Sequence, residues 1–301
     1  MAEPTAAPRA GTVALVGRPN AGKSTLMNRL LREKVAIVSD KPQTTRHRLV
    51  GILTEGRGQM VFLDTPGVHK PLHRMNREMV AYAVDALNEA DVVCLLVDAS
   101  TAHGAGEAHM LEVLEPAAAP KVVALNKIDL ISKGRLLPRI ELYAEAGGFA
   151  EIVPISALTG DGCDLLLDIL FGLLPAGAPL YDSHLLTVHP DRFLAGERIR
   201  EKVLAETREE LPYSTAVVID GWEEEGNLVR IFASILVERP GQKAIVVGRQ
   251  GQKVKAIGTA ARLDLEQFLG RRVFLDLHVR VEPGWRENPR LLAELERGVY
   301  A

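Results

Sequence analysis

Gly17-Arg18-Pro19-Asn20-Ala21-Gly22-Lys23-Ser24 stands between an apolar run, Thr12 to Val16, and an amphipathic one, Ser24 to Leu31. Strand, glycine loop, helix is the context that a phosphate-binding loop requires. The glycines let backbone N–H groups turn inward around a β-phosphate, Lys23 reaches the β and γ oxygens, and Ser24 offers its hydroxyl to Mg²⁺. The start of the helix adds a dipole favourable to an anion.

Outward from this loop, apolar runs at 12–16, 59–63, 92–97, 121–125 and 151–154 alternate with helix-period segments at 24–31, 74–89, 105–115, 135–146 and 163–173. That alternation predicts a mostly parallel sheet covered on both faces. A further strand at 49–54 is expected to pair with 59–63 through the turn Glu55-Gly56-Arg57-Gly58, which makes the sheet mixed. Ligands in such sheets bind beyond the carboxyl ends of the strands, and the remaining motifs fall there.

Asp64-Thr65-Pro66-Gly67 follows the strand ending at Leu63. An aspartate in this place holds Mg²⁺ through water, and the glycine N–H faces a γ-phosphate. Asn126-Lys127-Ile128-Asp129 follows the strand ending at Leu125. The Asp129 carboxylate matches the ring N–H and exocyclic amine of guanine, which adenine lacks, so a mismatch leaves the acceptor unpaired. Asn126 is expected to tie this loop to the phosphate loop, and the Lys127 stem to cover the ring. Ser156-Ala157-Leu158 offers a backbone N–H to the guanine oxygen. The polar, aperiodic stretch from Ser39 to His47 reads as a segment ordered by γ-phosphate and Mg²⁺, with Thr45 as the metal ligand.

Five motifs in this order resemble the G domain of translation-factor-related GTPases, and the set GRPNxGKS, QTTR, DTPG, NKxD and SA resembles the Era family. The resemblance covers 11–174 and implies GTP binding, slow Mg²⁺-dependent hydrolysis to GDP, and a nucleotide site of Gly17, Arg18, Pro19, Asn20, Ala21, Gly22, Lys23, Ser24, Thr25, Asp64, Thr65, Pro66, Gly67, Val68, Asn126, Lys127, Asp129, Ser156, Ala157 and Leu158. Lys23, Thr45 and Gly67 are the implied catalytic groups; Ser24, Thr45 and Asp64 the Mg²⁺ site; Asn20 a K⁺ ligand. Val68 stands where Ras-like proteins place a water-orienting glutamine, leaving the water to the switch backbone, a monovalent cation or a partner. His69 is the nearest side-chain base.

Beyond a Pro/Gly-rich linker, 175–191, the pattern runs helix 192–208, strands 215–222 and 228–237 around an acidic turn at 223–227, helix 243–247, helix 252–268 and strand 272–281. Gly248-Arg249-Gln250-Gly251 joins the last two helices. From Arg230 to Arg280 there are ten Lys/Arg against four Asp/Glu, and from Glu197 to Glu225 four against nine, so a basic half carrying Arg249, Lys253 and Lys255 lies hidden in a near-neutral chain. The region 192–283 resembles an α+β type II KH domain, whose GxxG loop clamps about four nucleotides. An α/β P-loop G domain followed by a type II KH domain is the Era arrangement. It implies binding of single-stranded RNA near the 3′ end of small-subunit ribosomal RNA, and of the small ribosomal subunit precursor during assembly. A tail at 284–301 carries a short helix at 289–297.

Composition bounds the rest. The 301 residues, 47% hydrophobic, suit two ordinary domains, and a net charge of −3 gives no global nucleic-acid signature. Cys94 and Cys163, far apart in apolar surroundings, fit buried packing in a reducing cytosol. Residues 1–10 read as a disordered tail and Val92–Val97 is too short to span a bilayer. A cytoplasmic monomer is expected, with a peripheral inner-membrane fraction. The competing reading is a membrane-surface signalling GTPase whose second domain binds protein or lipid.

Overall fold

The computed structural model describes residues 7–41, 43–67, 74–207 and 211–297. They fall into two compact units, one built mainly on residues up to Val188 and the other on His189 onward together with Ile37–Lys41 and the first residues of the helix that starts at Arg74.

The first unit holds β1 (Arg9–Gly17), α1 (Lys23–Leu31), β2 (Leu49–Glu55), β3 (Gly58–Asp64), α2 (Arg74–Glu89), β4 (Val92–Asp98), α3 (Ala105–Leu114), β5 (Lys121–Asn126), α4 (Lys133–Ala146), β6 (Glu151–Pro154) and α5 (Cys163–Leu173). Its strands lie in the order β2-β3-β1-β4-β5-β6. Only the hairpin β2–β3 is antiparallel. Residues on both faces are buried, including Val13, Ala14, Leu15, Val93, Leu95, Val123 and Leu125, which is why these strands read as unbroken apolar runs. The register sets Leu15 beside Asp64, Gly17 beside Leu96 and Asp98 beside Asn126. The functional motifs therefore emerge from one edge.

Two expected boundaries move. β1 begins at Arg9, inside the stretch read as tail, because Ala10 is buried and its N–H donates to Pro175 O at 3.1 Å. The Pro/Gly-rich stretch after α5, expected as a linker, is pinned along β2 and β3. Fully buried Gln59 accepts the Leu180 and Tyr181 N–H groups at 2.8 Å each, and Ile52 N–H donates to Leu186 O at 2.8 Å. Proline and glycine signalled irregular backbone correctly; the partners that hold it lie more than a hundred residues away and leave no local mark.

The second unit holds α6 (Asp191–Glu206), α7 (Leu211–Ser214), β7 (Ala216–Glu225), β8 (Leu228–Val237), α8 (Pro240–Val247), α9 (Gln252–Leu269), β9 (Arg272–Val281) and α10 (Pro289–Arg297). β7 and β8 are antiparallel and β8 and β9 parallel, in the order β7-β8-β9. Ile257, Ala261 and Leu265 of α9 pack with Ile199 and Val203 of α6 and Ile231, Ala233 and Ile235 of β8. The expected acidic turn is shorter: Glu223, Glu224 and Glu225 are strand residues, each opposite a β8 residue, and only Gly226 and Asn227 turn the chain. Two-residue hairpin loops suit the twist of the strands.

α6 and α9 share a polar clasp. Asp264 accepts Arg198 at 2.6 Å and Lys202 at 2.5 Å, with Arg198 and Asp264 side chains only 9% and 12% exposed. Arg198 also lies 4.3 Å over the Phe268 ring. Removing one partner of a buried pair leaves the other uncompensated. Asp264→Ala should destabilise this unit by about 3 kcal/mol. The chain's two tryptophans, Trp222 and Trp285, both belong to this unit, so urea unfolding followed by their fluorescence reads it directly.

Candidate functional site

The loop after β1 turns on Gly22, which caps α1 with φ +103°; a Cβ there would lie 2.2 Å from Asn126 Nδ2. Only glycine meets both conditions. Asn126 Nδ2 donates to Ala21 O at 2.8 Å, and its Oδ1 accepts the Ala157 N–H at 2.9 Å. One amide thus ties together the loops at 17–22, 126–129 and 156–158. Arg29 of α1 adds a second tie by donating to the Ala157 and Leu158 carbonyls. Arg29 was not singled out from the sequence, where it reads as an ordinary helix arginine.

Lys23 is buried, and its ammonium donates to Gly17 O and Arg18 O, each at 3.1 Å, drawing the loop around itself. Burial lowers its pKa to about 8, against the opposing pull of Asp64. Ser24 Oγ donates to Asp64 Oδ2 at 2.6 Å and lies 2.9 Å from Thr45 Oγ1. The three residues expected to share Mg²⁺ therefore converge from α1, β3 and the segment between them. Asp64 is fully buried; burial raises its pKa to about 6, while Lys23, Ser24 and Thr45 pull it down. Its Oδ1 is buried without a hydrogen-bond partner. One carboxylate, with its Oδ1 orphaned, and two hydroxyls fit Mg²⁺, which takes few protein ligands and completes its shell with water and phosphate. Among the described residues no three His, Cys, Asp or Glu side chains cluster as a metal site, which agrees with that donor set.

The polar stretch from Ser39 to His47, expected to be ordered by γ-phosphate and Mg²⁺, is already packed in part: Thr44, Thr45 and Arg46 are buried. Thr65 donates to Leu15 O at 2.8 Å, pinning the start of the next loop to β1. A Cβ on Gly67 would lie 2.6 Å from Pro19 N, so this glycine closes directly on the phosphate loop. Val68 and His69 lie outside the described residues. Asn20 is exposed at the tip of the loop with φ +62°, Pro19 and Thr25 are partly exposed, and Arg18 reaches across to Glu107 at 2.5 Å.

On the base side, Asp129 is exposed at the start of a short helical turn, without a partner among the described residues. Lys127, with φ +67°, donates to Asp98 Oδ2 at 2.6 Å. Asp98 is a site residue the motif reading passed over; its signal was its place as the last residue of β4, level with Asn126. The Ser156 N–H donates to Asp161 O and the Ala157 N–H to Asn126. Of the three N–H groups at 156–158, only that of Leu158 has no partner among the described residues.

In the second unit, Gly248 (φ +72°) leaves α8 and Gly251 (φ +75°) caps α9, with Arg249 and Gln250 exposed between them. The charge asymmetry read from the sequence is redistributed by pairing. Arg230, Arg271 and Arg280 pair with Glu225, Glu224 and Asp220 of β7, and Arg262 with Glu266. Arg249, Lys253 and Lys255 have no acidic partner among the described residues, so uncompensated positive charge remains at the GxxG loop.

A phosphate loop, a hydroxyl–carboxylate metal cradle and a guanine-type loop at one sheet edge, joined to a second unit with helix–GxxG–helix, define a P-loop GTPase with a KH domain. Residues 12–127 match the family model described as 50S ribosome-binding GTPase, and residues 210–286 the KH domain model. The chain is 48% identical over 289 residues to GTPase Era of Geobacter metallireducens, covering 95% of this chain and 97% of that one. It superposes on Aquifex aeolicus Era, solved as a variant bound to GDP and AlF4⁻, with a TM-score of 0.92 and 39% identity over 97% of this chain and 100% of the other. A solved complex of Era with MgGDPNP and nucleotides 1506–1542 of 16S ribosomal RNA gives 0.93 at the same identity and coverage. The chain belongs to the GTPase Era family.

Asp129 provides the test of the base loop. Asp129→Asn should weaken GTP binding by about three orders of magnitude and gain xanthosine triphosphate binding, read by competition against a fluorescent nucleotide.

Proposed function

We propose that this chain is a GTP-binding, slowly hydrolysing switch that binds single-stranded RNA near the 3′ end of small-subunit ribosomal RNA and assists assembly of that subunit. The convergence of Ser24, Thr45 and Asp64 beside buried Lys23 carries the reading. Two features support its RNA half: the uncompensated cations at the GxxG loop, and the relative solved with a GTP analogue and 16S ribosomal RNA nucleotides. The family model whose description mentions the 50S subunit ends at residue 127 and so concerns the first unit alone.

In this reading Gly17 to Thr25 cradle the phosphates, and Lys23 neutralises charge on the β and γ oxygens as the terminal bond breaks. Mg²⁺, held by Ser24, Thr45 and Asp64, supplies electrostatic stabilisation of the phosphate oxygens. Thr45 and Gly67 report the γ-phosphate, since both belong to segments that carry no helix or strand and close on it. Asp129 and the Leu158 N–H read guanine, with the Lys127 stem along the ring. Val68 cannot orient water through a side-chain hydrogen bond, so hydrolysis is slow and rests on backbone groups and on a K⁺ ion near Asn20. Faster turnover in potassium than in sodium buffer is the expected outcome; equal rates would remove Asn20 from the account. Gly248 and Gly251 let RNA backbone approach α9, and Arg249, Lys253 and Lys255 neutralise its phosphates. The chain acts as a cytoplasmic monomer. No described helix is long and apolar enough to cross a membrane, and vesicle flotation at physiological salt tests for a peripheral inner-membrane fraction.

Fluorescence anisotropy with a short single-stranded oligonucleotide from the small-subunit RNA 3′ end tests the whole reading. Binding should tighten about tenfold with a GTP analogue over GDP, within the usual range of coupling. It should fall at least about a hundredfold when Gly248 and Gly251 are both changed to Asp, which puts side chains and negative charge where the phosphates pass. Lys253→Ala should weaken binding evenly across sequences and lower the salt slope by about one. Equal affinity in all nucleotide states would remove the switch, and no binding in any state would remove RNA as the ligand.

A further inference from the structure

Beside the phosphate loop lies a partly open pocket of about 320 Å³, lined by Pro19 and Ala21 of the loop and by Leu95, Val97, Met110 and Tyr143. On that side the loop has fewer neighbours to fix its position than a close-packed interior would give it.

Arg18 spans the gap. Its Nη1 lies 2.5 Å from Glu107 Oε1, and Glu107 is only 6% exposed. The other carboxylate oxygen accepts the Gly104 N–H at 3.0 Å, so Glu107 is fixed to the first turn of α3. Burial would raise the Glu107 pKa, but Arg18 and the backbone hold it below the usual value. On its way the guanidinium crosses Gly106, where a Cβ would lie 2.6 Å from Arg18 Nε and 2.9 Å from Cζ. The Arg18 carbonyl in turn accepts the Lys23 ammonium at 3.1 Å. A continuous path runs from the end of α3, through one ion pair, to the lysine beneath the phosphates.

We propose that α3 is the strut of the phosphate loop: Glu107 is a positioning residue that holds Arg18, and with it the 17–20 backbone, in the nucleotide-binding position beside the pocket, and Gly106 is the bare surface that the strut needs. This rests on the first unit being the nucleotide site. It predicts a separation that no packing role would produce. Alanine favours a helix over glycine, and the atoms it would displace at position 106 are the movable end of an arginine. Gly106→Ala should therefore leave the melting temperature of the nucleotide-free chain unchanged or raised while loosening the nucleotide.

The experiment is release of mant-GDP from the full chain in Mg²⁺ buffer, followed by stopped flow, with melting temperatures measured in parallel. Gly106→Ala should speed release about tenfold, the size of one charge-assisted hydrogen bond. Glu107→Gln, which keeps the reach and removes the charge, should speed it severalfold. The double variant should be no faster than the faster single one, because both act through Arg18. Release at the wild-type rate from both single variants would overturn the strut, as would faster release accompanied in both by a matching fall in melting temperature. A wild-type chain that binds no mant-GDP would instead overturn the nucleotide reading itself.

Discussion

The side chain of Asn126 is the constraint on which the first site depends. Its amide uses one donor and one acceptor to join two loops to its own, at Ala21 O and the Ala157 N–H. Three loops leaving different strands have no reason to hold a common geometry, since each is bound only to its own strand end. Buried hydrogen bonds with both partners satisfied are costly to break and so fix that geometry. The requirement for glycine at position 22 follows, because any Cβ there would collide with the Asn126 amide. A residue in the base-reading motif thus dictates one in the phosphate loop, more than a hundred positions earlier.

Around that joint the protein stores unbalanced charge. Lys23 and Asp64 are both buried, and burial drives their pKa values toward each other, to about 8 and about 6. Asp64 keeps one oxygen without a partner. Charged groups so placed weaken a fold unless something neutralises them. Polyphosphate and a divalent cation supply the missing charges of both signs, which is why such strain marks a binding site more than a structural ion pair.

How much of this was legible in the sequence depended on whether the signal was local. Strand–loop–helix alternation predicted every strand of both units to within a few residues, because the central strands of the first unit are apolar on both faces and α9 of the second carries one clear stripe. The single turn Leu211–Ser214 is too short to leave a period and was not expected. Lys23, Ser24, Asp64 and Asn126 were legible because their motifs carry fixed spacing. Glu107, Asp98, Arg29 and Gln59 were not, for each acts through a partner brought close only by the sheet order: Glu107 meets Arg18 across 89 positions and Gln59 meets Tyr181 across 122. The acidic run at 223–225 misled for a related reason. Three glutamates in a row resemble a turn until the arginines that pair with two of them, Glu224 and Glu225, are known.

The two units apply one physical solution to different anions. α1 and α9 each begin on a glycine in the left-handed region, Gly22 and Gly251. A glycine there bends the chain sharply into the helix and leaves the first N–H groups uncovered by any side chain, where the helix dipole favours negative charge. In the first unit, loops on three sides enclose that end, and Lys23 is buried behind it, so the site suits a small, highly charged ligand held in one pose. In the second, Arg249 and Gln250 stand exposed and Lys253 and Lys255 have no acidic partner among the described residues, so that end stays open along a surface. Enclosure, and not the glycine turn itself, distinguishes the two helix starts.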